Sequence, residues 1–586
     1  MTHRRKFLLT VVAAIALLAT IAVVRVASHA PLEVVAFEAA RGELGFAWRG
    51  AIHAHTTVSD GAADIGVVVE AAAAAGVDFL IVSDHNPFFG ERPRTGWYGD
   101  VLLVVGEEIS TEQGHVLALG IPGHRYRFGP TARQALADVR DEGGWALVAH
   151  PYHARQAWSG GWGGTDGIEV TNLAAAWSRQ NTLSAAMTVA ASVIDPAYAA
   201  ARLLAHPWPA LEKWDELTML DSGPRTIARP RVGIASADAH GPVVGPIPGY
   251  ADTLSATSTL VWIDRSPTEA RGGDARSIEV EILRALRAGR AAVEVTAIGD
   301  ARSFSFVATT STETAKMGGF AAWERGPWRL QASLAPLEGE LVLWRDGQPV
   351  KQLSDSSLDE AVARPGTYRV EVYRPDVAGS RDNGPPWLVS NPIYVWPAAA
   401  RAAARVRPTP PLPAPPLSRD LLAVSAFEDN HRGVVRNIVE GTPDGITWAF
   451  ALEQESAREA FAAMAWRPAE PMDWSAADGV VVGLRSSSAV RVNLEVRADN
   501  ENGETEAWVY SLKATPEGLA TAIPWNRFRP PPTEDLSYEE NAEPRRPVGG
   551  DLRRVHGVFL IVTPTLLAPG EGAVVTLEVL GLYGRP

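Results

Sequence analysis

His53-Ala-His55-Thr-Thr-Val-Ser-Asp60-Gly61, followed one helix-length later by Leu80-Ile-Val-Ser-Asp84-His85-Asn86, is the stretch from which the rest of this chain is read. Side chains alternate along a strand, so His53 and His55, two apart, are expected on the same side and can share one cation. Asp60 lies in a Ser-Asp-Gly turn that bends the chain back over that cation, and His85 ends the next apolar strand. Ligand-type side chains thus converge within about 35 residues. A lone His-x-His is usually an ordinary polar pair. Here the distribution argues otherwise: of 13 histidines, nine fall between His53 and His240, and only His431 and His556 follow. Solvated histidines would scatter.

Composition narrows the partners. A chain of 586 residues, 46% hydrophobic and 21% charged, is long enough for about four domains. A net charge of -14 argues against general nucleic-acid binding, which needs a basic face. An acidic chain can still take an anion through a local metal cluster. There is no cysteine, so any metal is held by His, Asp and Glu, and disulfides and lipoprotein anchoring are excluded.

At the N-terminus, Arg4-Arg5-Lys6 precedes an uncharged, mostly apolar run from Phe7 to Val24, about 27 Å long as a helix and close to the ~30 Å of a bilayer core. Residues 1–30 therefore read as a signal-anchor or signal peptide. An uncleaved anchor is favoured over cleavage after Ser28-His-Ala30, because Pro31 would follow the cut. The expected location is the cell membrane facing outward, or the periplasm or exterior if the segment is cleaved.

Residues 44–296 alternate short apolar runs with helical segments, as in an α/β domain. Strands are expected over Phe46 to His55, Phe79 to Ser83, Val101 to Ile109, Val116 to Leu119, Trp145 to Ala149, Gly167 to Val170 and Val232 to Ser236. Helices are expected over Ala63 to Ala75, Ala132 to Glu142 and Ile278 to Ala288, and an Ala-rich section between Asn172 and Arg231 reads as a helical cap. His85, His150, Asp238 and His240 follow strands directly, where barrel enzymes place their chemistry. Residues 297–397 read as a small β-sandwich with a hairpin signal at Asp346-Gly347. Residues 398–420 form a Pro-rich linker, and 421–586 a β-jelly roll.

Taken in order, His53-x-His55, Asp60, Asp84-His85, Gly106-Glu-Glu108 with Gly114-His115, Ala149-His150-Pro151 and Ser236-Ala-Asp238-Ala-His240 resemble the motifs of the polymerase and histidinol phosphatase (PHP) family. The later order, Trp214-Asp215, Arg231 to Gly241, Pro365-Gly-Thr-Tyr-Arg-Val-Glu-Val and Ser390-Asn-Pro-Ile, resembles the carbaryl-hydrolase branch of that family. The resemblance implies a (β/α)7 barrel with two or three divalent ions such as Zn, Mn or Fe. One would use His53, His55, Glu108 and Asp238, a second Asp60, His85 and His240, and a third Glu108 as a bridge with His115 and His150. Glu107 competes for the bridge, and Asp84 is expected to support a neighbour. Ala522-Ile-Pro-Trp-Asn-Arg-Phe-Arg resembles the ends of galactose-binding-like jelly rolls, which implies a glycan as a partner there.

Such a cluster lowers the pKa of a shared water and clamps a transferring phosphoryl or acyl group. His153 is a candidate proton donor to the leaving group, and Arg155 a candidate to orient an anion. His124 and His206, with no motif around them, read as structural. The expected protein is an exported metal-dependent hydrolase, first a phosphoesterase acting on a small anionic phosphoester. The alternatives are a carbamate or carboxyl ester hydrolase with the same site, and a surface glycan-binding protein whose site is retired.

Overall fold

The computed structural model describes residues 42–85, 95–121, 128, 131–182, 184–185, 188–189, 199, 203–204, 208–219, 231–241, 249–375, 381, 384–403, 414–422, 427–432, 434–453, 460–488, 490–499, 503–525, 528, 551–563 and 572–584. The chain is a mixed α/β protein that divides into two compact units, Met1–Pro122 with Thr131–Arg407, and Gly123–Pro130 with Pro408–Pro586.

The first unit opens with strands β1 (Phe46–Ala54), β2 (Phe79–Val82), β3 (Gly96–Tyr98), β4 (Val101–Val105), β5 (Glu107–Thr111), β6 (Gly114–Leu119), β7 (Trp145–Val148), β8 (Gly167–Asn172), β9 (Val232–Ser236), β10 (Ser258–Ile263) and β11 (Ala291–Glu294). One sheet runs β11-β10-β1-β2-β4-β3, and a second runs β5-β6-β7-β8-β9. β1, β2 and β4 are parallel, as are β7, β8 and β9. The strands are buried on both faces, which is why they read as continuous apolar runs. Close packing fixes their spacing: at Gly50 a Cβ would lie 2.0 Å from the Phe79 ring.

The expected strand from Val101 to Ile109 divides at Gly106. A Cβ there would meet Leu119 Cδ2 at 2.7 Å and Ala118 O at 3.0 Å, so only glycine lets the chain leave the β1 sheet and enter the hairpin of β5 and β6. Isolated parallel bridges, Ala54 with Ala239 and His85 with Glu108, join the two sheets. Both bridges fall among the metal-ligand candidates. No sheet closes on itself among the described residues.

Helices cover the sheets where the apolar spacing predicts them. Ile65–Ala74 is capped by the Asp64 side chain, Ala132–Asp141 carries a Thr131/Gln134 capping box, and Ala275–Arg287 turns Ile278, Ile282 and Leu286 inward. Of the expected cap, Leu173–Ser178 and Pro209–Thr218 are helical; most of Leu183 to Ile194 lies outside the described residues.

The change of composition near residue 297 is not a break in the sheet, because Leu388–Ser390 pairs antiparallel with β11. A buried ion network crosses the same region. Arg369 on Gly366–Tyr373 donates to both oxygens of Asp215, at 2.6 and 2.7 Å, and also pairs with Glu371. A lone buried guanidinium would be strongly unfavourable, so the network ties the helix carrying Asp215 to that strand. Residues 305–309, 314–316, 329–333 and 357–361 form a separate four-stranded sheet.

The second unit is two antiparallel sheets around a core that includes Trp448, Trp466, Trp474 and Phe450. One sheet takes Val434–Thr442, Gly445–Leu452, Gly572–Tyr583, Gly479–Ser486 and Leu519–Pro524, with Leu417–Asp420 added to Gly572–Tyr583. The other takes Phe427–Arg432, Phe461–Trp466, Val555–Val562, Val490–Asp499 and Thr505–Ala514. Residues 404–413, the centre of the expected linker, lie outside the described residues.

The membrane expectation is corrected. No helix among the described residues is long and apolar enough to cross a membrane, and the run from Phe7 to Val24 lies outside those residues. The membrane is therefore withdrawn as a partner and as the site of anchoring.

Candidate metal centre

The residues singled out as ligands stand at strand ends or just beyond them. His53 is in β1, with His55 and Asp60 after it; His85 follows β2; Glu108 and His115 are in β5 and β6; His150 follows β7; Asp238 and His240 follow β9. The regular pleat is not what brings the histidines together. β1 has a register shift between Ile52 and Ala54, and His53 has φ 71°, so a bulge re-aims its imidazole. The His53 and His55 ring centres lie 5.0 Å apart.

Glu108 is at the middle of the centre and wholly buried. Its Oε1 lies 2.9 Å from His115 Nδ1 and 2.8 Å from His150 Nε2. Its Oε2 lies 2.9, 3.2 and 3.3 Å from the Nε2 atoms of His53, His55 and His85. Glu107, the competing bridge, belongs to none of the ligand groups among the described residues.

Three groups bring their ligand atoms within 4.8 Å of one another: His53, His55, Glu108 and Asp238; His55, Asp60, His85 and His240; and His85, Glu108 and His115. The second group includes His55 beyond the expected set, and His85 replaces His150 in the third. Ligand atoms about 2.1 Å from a tetrahedral ion are roughly 3.4 Å apart. In the first group, Asp238 Oδ1 is 3.4 Å from both His53 Nε2 and His55 Nε2. In the second, Asp60 Oδ2 is 3.3 Å from His240 Nε2 and 3.8 Å from His85 Nε2. His55 Nε2 is buried and makes no well-directed hydrogen bond, although two carboxylates lie beside it. A nitrogen so arranged fits a cation better than it fits a hydrogen-bond partner.

Electrostatics point the same way. Burial alone would lower the His55 and His150 pKa values, but carboxylates outweigh it, Asp238 and Glu108 at His55 and chiefly Glu108 at His150, and both are pushed up to about 9. His53 is raised well above its ordinary value against the same burial by Glu108, Asp238 and Glu169. Burial would raise Glu108 and Asp238, yet His53 and the surrounding histidines hold both well below the carboxylate range. His85 behaves oppositely: burial, reinforced by His55 and His115, pulls it down to about 3. His85 is thus a neutral imidazole at ordinary pH, ready to ligate.

A supporting layer fixes the ligands. Asp84 accepts from Thr56 N at 2.7 Å, Thr56 Oγ1 at 2.9 Å and Ser59 Oγ at 2.7 Å, pinning the loop that carries Asp60. His153 lies with its ring centre 5.5 Å from that of His150, and its Nδ1 accepts from the backbone N–H groups of Arg155 and Gln156. Burial, then His150, lowers its pKa. Arg155 is exposed. His124 and His206 lie outside the described residues.

Glu169 and Asn172, both buried on β8, have no place in the sequence-derived site. Glu169 Oε1 is 2.6 Å from His53 Nδ1. The available signal was an acid inside the apolar run Gly167-Ile-Glu-Val, since a carboxylate on a buried strand needs partners.

No protein-family model and no curated protein matches the chain. Among solved structures, a two-domain protein from Bacteroides vulgatus, described as containing a predicted PHP-like metal-dependent phosphoesterase, is 14% identical with a TM-score of 0.31, covering 62% of this chain and 99% of that one. The family 11 carbohydrate-binding module of a Clostridium thermocellum cellulosomal cellulase is 16% identical with a TM-score of 0.22, covering 29% of this chain and 95% of that one. An exo-beta-agarase is 14% identical with a TM-score of 0.19, covering 29% of this chain and 25% of that one. Likenesses of this size bear on neither substrate nor mechanism, nor do they support the glycan expected at the C-terminal unit.

The buried His/Asp/Glu groups define the chemistry available. They are able to hold two or three divalent cations, as a metal-dependent hydrolase requires.

Proposed function

We propose that this chain is a PHP-type metal-dependent phosphoesterase. The observation that supports it most is Glu108, one buried carboxylate with five imidazoles around it, shared between two of the three ligand groups. The ordered sequence motifs support it independently, and the two sheets joined at their ligand-bearing ends are the parts from which a (β/α)7 barrel would be assembled.

In this reading His53, His55, Glu108 and Asp238 would hold one cation; Asp60, His85 and His240, with His55 beside them, a second; and Glu108 and His115, with His85 in their group and His150 Nε2 2.8 Å from Glu108 Oε1, a third. Such cations supply Lewis acidity and a water of lowered pKa. The chain's own groups do the rest. Because His153 Nδ1 accepts two backbone N–H groups, its proton sits on Nε2, where it can be donated to a leaving oxygen. Arg155, exposed beside it, orients the substrate's anionic oxygens through its planar fork.

A panel of phosphomonoesters, phosphodiesters, and carbamate and carboxyl esters, assayed with Mn²⁺, Zn²⁺ or Fe²⁺, tests this reading. Turnover of phosphoesters is the expected result. Hydrolysis confined to carbamates or carboxyl esters would move the chain to the chemistry suggested by its carbaryl-hydrolase-like order, and metal binding with no turnover of any class would leave a retired site.

A further inference from the structure

We propose that Glu169 is a positioning residue for the metal centre: its one carboxylate sets the tautomer of His53 and holds the backbone of His150, and Asn172 extends the same brace to Asp238. This rests on the metal-centre reading above and adds to it two residues outside every ligand group.

The geometry is that of a shared clamp. Glu169 is fully buried. Its Oε1 faces His53 Nδ1 at 2.6 Å, while Oε2 accepts the His150 backbone N–H at 2.6 Å and Asn172 Nδ2 at 2.9 Å. The same Asn172 nitrogen reaches Ser236 Oγ at 3.1 Å and Asp238 Oδ2 at 3.3 Å. Asn172 Oδ1 accepts from Ala175 N at 2.7 Å and caps the helix Leu173–Ser178. The capping bond settles which way the amide points, because the oxygen is taken by a donor and the nitrogen must face the acids.

The backbone supplies a second, independent observation. Among the described residues, the non-glycine residues with positive φ are His53 at 71°, His150 at 25°, Asp238 at 50° and Asp346 at 50°. Asp346 sits in a hairpin turn before Gly347, where such angles are ordinary. The other three are ligand candidates, and Glu169 or Asn172 touches each of them. Side chains adopt this region only where surrounding contacts hold them there, and such residues cluster at functional sites.

A carboxylate is required chemically. With Nδ1–H donated to Glu169, His53 keeps its Nε2 lone pair directed at the position between Glu108 and Asp238. An amide at 169 has one acceptor oxygen for three donors, His53 Nδ1–H, His150 N–H and Asn172 Nδ2–H. If its NH₂ faced His53 instead, the proton would move to Nε2 and block the ligand atom.

The test is Zn²⁺ affinity of the full chain, measured by competition with a chromophoric chelator, together with the Co²⁺ absorption spectrum, on variants shown to be folded by circular dichroism. Glu169→Gln is expected to bind Zn²⁺ about 10- to 100-fold more weakly and to shift the Co²⁺ bands. A folded Glu169→Gln with wild-type affinity and spectrum overturns the proposal, since a purely structural role would change the unfolding transition and not the metal's ligand field. If Glu169→Gln does not fold, Asn172→Ser decides. It replaces the carboxamide by a hydroxyl that can still cap the helix but cannot reach Glu169 and Asp238 as the amide nitrogen does, so a smaller loss of affinity supports the brace and wild-type affinity overturns it. Wild-type protein that binds no divalent ion would instead overturn the metal centre itself.

Discussion

The inner and outer ligand groups share His55 but differ in exposure. His53, His55, Glu108 and Asp238 are all buried, and their carboxylates push the His53 and His55 pKa values up against that burial. In the outer group, the Asp60 and His240 side chains are 41% and 35% exposed, and His85 is neutral. Burial strengthens each ligand's attraction for a cation, while exposure leaves room for exchange and for substrate. The inner group therefore reads as the retained ion and the outer as the one that meets solvent.

Removing one ligand from each group tests this division most severely. Asp238→Ala takes away the carboxylate between His53 and His55, so the inner ion should be lost and turnover should fall on the order of 10³-fold or more. His240→Ala should abolish turnover similarly while leaving the inner ion in place, so metal content per chain drops by one and does not collapse. If both variants lost the same ions, the two groups would be one cooperative site.

The pH dependence should differ between the groups in a defined direction. Binding at the inner group displaces protons from His55, whose pKa is pushed up to about 9, so lowering the pH from there toward neutrality adds proton competition and weakens apparent affinity. His85, at about 3, releases no proton over that range. Calorimetric titration in buffers of different ionisation enthalpy measures the protons released; zero release near neutral pH would contradict the assigned charges. The smallest effect is expected outside the centre: a chain ended before Pro408 should keep turnover on a small substrate, because no ligand group falls after His240 among the described residues. Lost activity in a folded truncation would give the second unit a part in shaping the site.

Most of the ligands were legible because they sit next to a glycine, proline or alanine at or near the end of an apolar run, a local signal; His85 and Glu108, flanked by Asp84 and Asn86 and by Glu107 and Ile109, were legible from the strands that they end or follow. What was not legible depends on long-range pairing. The split of the expected strand at Gly106 follows from the approach of Leu119, which no neighbour in sequence reveals. The union of β11 with Leu388–Ser390 joins residues about 100 apart, each with an ordinary strand composition. Glu169 was hidden by its setting, since its strand reads as one more buried run and its partner His53 lies 116 residues away. Even His53 and His55 meet for a reason other than strand alternation, a bulge in place of a regular pleat.

The most direct test of the central claim is the divalent-metal content of the purified full-length chain, measured with phosphoester hydrolysis before chelation, after it, and after return of Mn²⁺ or Zn²⁺. The predicted result is two or three ions per chain, activity lost with the exposed ion and restored by its return. A chain that holds no divalent ion, and whose rate does not change when Mn²⁺ or Zn²⁺ is added, would contradict it.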